Sequence, residues 1–248
     1  MLLPIGDENT GRRTAPIVNY TIIGLNIFVF IIELVQGDSF ILRYSAVPYM
    51  ITHGGAVPPP RVIDHQVIRD LPGPSPIYIT LFTSMFMHAG WLHIGSNMLY
   101  LWIFGDNVED AFGHLKYVIF YLLCGLAAAF AQIAVSPDSP IPSLGASGAI
   151  AGVLGAYLVM FPRNRVRTVV FLGIFFTITM LPALIVIGVW IVMQLLYQFE
   201  SISATAAQST GGVAYMAHIG GFFAGLILTF FFRPKQEPRE PWERYSPY

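Results

Sequence analysis

The chain has 248 residues, a formal net charge of -1, 55% hydrophobic and only 11% charged residues, and a mean hydropathy of +0.63. Composition this apolar excludes an ordinary soluble domain and reads as an integral membrane protein. The small net charge, with basic residues in short clusters beside apolar runs, excludes nucleic acid as a partner.

Residues 1–16, MLLPIGDENTGRRTAP, are polar and read as a cytoplasmic segment before the first span. No small-residue cleavage site follows that span at ELVQGDSF, so it is expected to stay in the mature protein. A bilayer core roughly 30 Å thick needs about 20 apolar residues of helix. Six runs of this kind occur: Ile17–Val35, Trp91–Phe104, Leu115–Val135, Ser147–Phe161, Pro182–Phe199 and Val213–Phe232. Residues 17–232 therefore read as an all-α membrane domain of six transmembrane helices. The single cysteine, Cys124, lies inside the third run, so no intramolecular disulfide forms and it reads as a small buried hydrophobe.

The stretch YITLFTSMFMHAG, ahead of the second span, is apolar enough to lie at the interface or enter the bilayer beside protein. Val166–Met180 is a further apolar run, cut from the fifth span by Pro182, and is expected as an interfacial or re-entrant hairpin. Six spans put Arg12, Arg13, Lys116, Arg163, Arg165, Arg167, Arg233, Lys235 and Arg239 all on the cytoplasmic side, whereas a seventh would send the last cluster outside. Both termini are then cytoplasmic and the protein sits in the cell membrane. The Pro-rich loop of about residues 37–77 is expected to pack on the rim, ESISATAAQSTGG to form a mobile cap, and 233–248 to be a disordered tail.

Polar side chains inside a bilayer are functional candidates by default. His93 and Asn97 open span two, Ser147 opens span four and His218 lies near the start of span six. These spans run in the same direction, which sets all four residues at one depth in the outer leaflet. His93 and Asn97, four apart, share a helix face. Ser147 follows Pro140 and Pro142, so its N–H is one of the free donors of a helix N-terminus. Gly145 and Gly148 flank it with permissive backbone that lets a carbonyl approach. Gly148, Gly152 and Gly155, with Gly221 and Gly225, would let spans four and six pack nearly backbone to backbone and bring Ser147 to His218. Read from the residues alone, a packing stripe and a catalytic centre both remain open; His88 and His114 read as ordinary core or interface histidines.

The same residues carry a resemblance. GASGAIAG, HAGWLHIGSN and AHIGGFFAG resemble, in order and spacing, the Gly-x-Ser-Gly, His-x-x-x-Asn and Ala-His-x-x-Gly-x-x-x-Gly motifs of the rhomboid intramembrane serine proteases. The loop FGDNVEDAFGHLKY after span two is similar as well, and the likeness runs from about Ile17 to Phe232. It implies a rhomboid-like bundle of six helices with a Ser147–His218 dyad. His93, Asn97 and the Ser147 N–H would then stabilise an oxyanion, with Gly145 and Gly148 beside the substrate. The implied reaction needs no metal or cofactor, and the implied substrates are single-span membrane proteins within the lipid bilayer, cut near the outer face. Two departures stand out: Ala151 occupies a position where members often carry an aromatic against the histidine, and the tryptophan-arginine pair found in the first loop of some members is missing. No Asp or Glu lies in span six to orient His218.

Rival chemistries lack their residues. There is no His-Glu-x-x-His for zinc, FGDN is not the Gly-x-Gly-Asp of an aspartyl membrane protease, and only Glu33 and Glu200 lie near span ends as a transporter's charges. A non-enzymatic helix-binding relative would usually have lost the serine or the histidine.

Overall fold

The structure is a computed structural model that describes residues 2–8, 12–63, 66–68, 71–173, 175–203 and 214–233. Most of the expected cap and the tail from 234 onward lie outside the described residues.

Among the described residues six long helices follow the apolar runs: α1 (Ile17–Gln36), α2 (Trp91–Phe112), α3 (His114–Val135), α4 (Ser147–Met160), α5 (Ala183–Ser203) and α6 (Tyr215–Phe232). Among the described residues α1, α3, α5 and α6 are each long and apolar enough to cross a membrane. At about 1.5 Å per residue, the 14 residues of α4 fall short of a hydrocarbon core of roughly 30 Å. α4 is instead the hub of the bundle, with every residue from Gly148 to Tyr157 buried.

The glycine stripe sets how closely α4 and α6 approach. A Cβ on Gly221 would stand 2.0 Å from the Gly148 carbonyl oxygen, and one on Gly225 2.1 Å from that of Gly152. Where α3 joins that contact, a Cβ on Gly152 would meet Cys124 at 2.4 Å. Three helices thus share one small-residue seam, where close backbone approach supplies the packing that a hydrophobic driving force cannot supply in lipid.

α2 runs two turns beyond the expected end at Phe104, and FGDNVEDAFGHLKY is helical to Phe112 rather than a loop. The chain then turns at Gly113, whose φ of 80° suits glycine, straight into α3. Charge on these turns is tolerated because each carboxylate has a partner. Asp106 pairs with Arg12 at 2.8 Å. Asp110 accepts the N–H groups of Arg13 and Thr14. Glu109 accepts those of Val18 and Asn19 at 3.0 and 2.6 Å, capping the free donors of the first turn of α1. Asn19 in turn donates to the Leu101 carbonyl and accepts from the Tyr117 hydroxyl, tying α1, α2 and α3 together.

To this helical bundle the described residues add two small sheets. Strand β1 (Leu2–Asp7) pairs antiparallel with β4 (Arg165–Leu172), which pairs with β5 (Phe175–Pro182); β2 (Arg61–Ile63) and β3 (Gln66–Ile68) form a separate hairpin. The run expected as an interfacial or re-entrant hairpin is thus the β4–β5 hairpin. Its base alternates exposed Arg165 and Arg167 with buried Val166 and Thr168, the period of a strand. The first residues of the chain are packed on the bundle, since Asp7 accepts from the Tyr157 hydroxyl of α4 at 2.6 Å and from the Asn107 amide of α2 at 2.7 Å.

The loop after α1 forms two short helices, Asp38–Tyr44 and Pro48–Thr52. It packs against the segment that leads to Ser147. Ala46 and Ser143 exchange backbone hydrogen bonds, and Tyr49 N–H donates to the Ser139 carbonyl. Ala46, Val47, Met50 and Ile51 join Ile77 and Leu81 in a second small core beneath it.

Candidate active site

Ser147, His218 and His93 meet at one end of the bundle, and Asn97 lies one turn from His93 on α2. His218 sits one turn into α6, and its Nε2 lies 2.8 Å from the Ser147 hydroxyl at the first residue of α4. The glycine seam below them fixes that separation, because α4 and α6 can come no closer.

Gly145 takes a φ of 129°, a backbone conformation that side chains resist, and its N–H donates to the Ser84 carbonyl at 2.8 Å. The space a Cβ would fill there is flanked by two reactive groups. Such an atom would stand 2.8 Å from His93 Nε2 and 3.5 Å from the Ser147 hydroxyl oxygen. Gly145 therefore leaves open the spot onto which the serine and the imidazole both face. Gly148 serves differently: its missing side chain admits Ala128 of α3 and the Ala217 carbonyl.

The tautomer of His93 follows from its partner. Ala89 N–H donates to Nδ1 at 3.2 Å, so Nδ1 carries the lone pair and the proton lies on Nε2, aimed toward Gly145 and Ser147. Asn97, a turn further along α2, is buried, and its Nδ2 has no acceptor among the described residues. A buried amide donor without a partner is costly, which marks Asn97 as a candidate binding group.

The entry to α2 is pinned from α1. Glu33, buried, accepts the His88 N–H with both carboxylate oxygens at 3.1 Å. Glu33 thus fixes a loop rather than lining a transport path. His88 is buried beside His93, with ring centroids 5.1 Å apart. His114 lies at the other end of the bundle, bonded to Glu109.

Sequence reading missed two residues of α5. Gln194 Oε1 lies 2.8 Å from His218 Nδ1, and the Trp190 ring stands 5.9 Å from the His218 ring, centroid to centroid. The signal was present: Gln194 interrupts the apolar run VWIVMQLLYQF, and a polar side chain inside a span is a candidate by the rule that selected His93 and Asn97. Ala151, fully buried in α4, brings no ring to the histidine. A cleft opens beside Ser147, walled by the small side chains of Ala128, Ala129 and Gly125 and by Gln132, Met85 and Leu81.

The fold and site together define an integral membrane protein, a helical bundle built around a serine-histidine contact. The profile of the rhomboid domain matches residues 76–235, and the chain belongs to the rhomboid family. Rhomboid protein 1, mitochondrial, of Saccharomyces cerevisiae is 29% identical over 157 residues, 62% of this chain and 41% of that protein. Rhomboid protease GluP of Bacillus subtilis is 34% identical over 148 residues, 60% of this chain and 25% of that protein. Rhomboid-like protein 11, chloroplastic, of Arabidopsis thaliana is 24% identical over 160 residues, 62% of this chain and 52% of that protein. The chain thus spans from a quarter to about half the length of these relatives.

Proposed function

We propose that this protein is an intramembrane serine endopeptidase that cuts the transmembrane helices of single-span membrane proteins near the outer face of the cell membrane, its own termini being cytoplasmic. The observation that carries the reading is the 2.8 Å contact between His218 Nε2 and the Ser147 hydroxyl, the reach required of a general base and its nucleophile. Membership of a family that includes a protein named a protease supports it.

The chemistry runs in two halves. His218 Nε2 takes the Ser147 proton as Oγ bonds to the scissile carbonyl carbon and the carbonyl electron pair moves onto oxygen. His93 Nε2–H, Asn97 Nδ2 and the Ser147 N–H, a free donor at the start of α4, receive that oxyanion. The intermediate collapses, the amine nitrogen leaves with the proton from Nε2, and the acyl group stays on Ser147. Water, deprotonated by Nε2, then releases the acyl group and returns the hydroxyl.

Substrate class follows from the placing of the serine. α4 is too short to span the bilayer, which supports a nucleophile set below the membrane surface and reached by a segment already in the membrane. A peptide bond within a helix is shielded by its own hydrogen bonds, so small or helix-breaking residues near the cut favour cleavage.

Purified protein is expected to cleave a transmembrane reporter substrate in detergent or vesicles. Ser147→Ala and His218→Ala are each expected to abolish the cleavage while thermal stability and helix content stay near wild type. Undiminished cleavage by Ser147→Ala ends this reading.

A further inference from the structure

We propose that Gln194 and Trp190 of α5 are positioning residues that hold the His218 ring with Nε2 toward Ser147, doing the work of the carboxylate that α6 lacks. The inference rests on the serine-histidine reading above and adds a third helix to it.

Gln194 is buried, and its Oε1 lies 2.8 Å from His218 Nδ1. An amide oxygen only accepts, so this contact places the ring proton on Nδ1 and leaves the Nε2 lone pair for the serine proton. That is the tautomer a general base needs, and the opposite of the one Ala89 selects at His93. Two imidazoles in one site are thereby set to opposite duties by what their Nδ1 atoms touch: His93 presents a proton, and His218 a lone pair.

Trp190 lies one helical turn before Gln194, so both project from one face of α5. Its ring is tilted 37° to that of His218 at 5.9 Å, and 6.2 Å from that of Phe222, one turn beyond His218 on α6. The two side chains constrain different motions: the indole limits tilting of the imidazole, and the amide limits its flip about the Cβ–Cγ bond. Ala151 on α4 offers no such ring.

An amide suits this place better than a carboxylate. An ionised acid buried in the bilayer carries a heavy desolvation penalty, while the Gln194 carbonyl dipole fixes the tautomer with no net charge. During acylation the Nδ1 proton stays where it is, and only the Nε2 proton moves, from Ser147 to the leaving nitrogen. Gln194 touches neither substrate nor reacting atoms, so its removal acts on turnover through the orientation of the ring.

The test uses the full chain with a transmembrane reporter substrate and compares Gln194→Leu, Gln194→Glu and Trp190→Leu, together with 15N NMR of the His218 imidazole. Gln194→Leu is expected to lower kcat roughly ten- to a hundredfold, the range seen when the outer partner of a metal-ligating histidine is removed, with KM changed less than about twofold. Gln194→Glu, which keeps an acceptor, is expected to recover most of the loss, and Trp190→Leu to lower kcat in the same sense. The 15N signature is expected to report the Nδ1–H tautomer in the wild type and a mixture in Gln194→Leu. Wild-type kcat in Gln194→Leu, or an Nε2–H tautomer in the wild-type protein, overturns the inference; the second measurement needs no variant to fold. If Ser147→Ala is inert while Gln194→Leu is unimpaired, this inference alone fails. Cleavage by Ser147→Ala removes the reading beneath it.

Discussion

The two ends of the bundle both carry polar side chains, and they differ in how many of those are left without a partner. At the Tyr157 end the acidic groups are provided for: Asp7 by Tyr157 and Asn107, Asp106 by Arg12, Glu109 by the first turn of α1, and Asp110 by two backbone N–H groups. At the Ser147 end, Asn97 Nδ2 and Gln132 Oε1 are buried without a partner among the described residues. A satisfied network rigidifies, and an unsatisfied one is a standing penalty that folding alone would not retain. The contrast sets polar groups that hold the molecule together beside groups that, in the proposed function, stay open for a reaction.

The strongest way to break this contrast is to attack what joins the two ends. In Gly221→Ala the new methyl falls 2.0 Å from a backbone oxygen, with no flexible side chain to yield. Overpacking there is expected to destabilise by about 3 kcal/mol, the upper end for such insertions, and to abolish cleavage because the Ser147–His218 distance is set by that seam. Thermal unfolding and an activity assay read both effects.

A matched pair of substitutions sharpens it. Asn97→Ala is expected to slow kcat by about a hundredfold or more, close to 3 kcal/mol of transition-state stabilisation, while leaving the melting temperature unchanged or slightly raised. Tyr157→Phe, which takes one donor from Asp7, is expected to destabilise by about 1–2 kcal/mol with kcat unchanged. If both variants lose stability and both keep activity, the two ends do not differ in kind.

The smallest effect concerns pH. Burial pushes the Asp7 carboxyl up to about 6, with Asp106 adding to the shift and the Tyr157 hydrogen bond opposing it. The folded state therefore holds this proton more tightly than the unfolded chain, where an aspartate titrates near ~3.9. Its stabilising contribution is full below that value and is lost as pH rises through about 6. The melting temperature is expected to fall over that window, and Asp7→Asn to flatten the fall. A profile identical in Asp7→Asn assigns the slope to other groups.

Much of this was legible in the sequence because it depended on local chemistry. The helices are where about 20 apolar residues stand together, and Gly148, Gly152, Gly221 and Gly225 declared a seam by their spacing. Ser147, His93, Asn97 and His218 stood out as polar groups in hydrocarbon. What could not be read depended on partners distant in the chain. The charges at Asp106 and Glu109 ended span two too early, because Arg12 and the first turn of α1 were not known to meet them. Strand β1 was hidden for the same reason: LLPIGD, with a proline and a glycine inside it, becomes a strand only against β4. Gln194 was missed although it was within reach of the rule already in use.

The pairing of Leu2 with Val170 also orders events in time. Synthesis from the amino end makes β1 before α1, α2, α3 and α4 and β4 only after them, so β1 stays unpaired until all four have been made. The sheet therefore closes late. When Asp7 reaches Tyr157, at the far end of the helix that begins with Ser147, the chain of four helices has already been made.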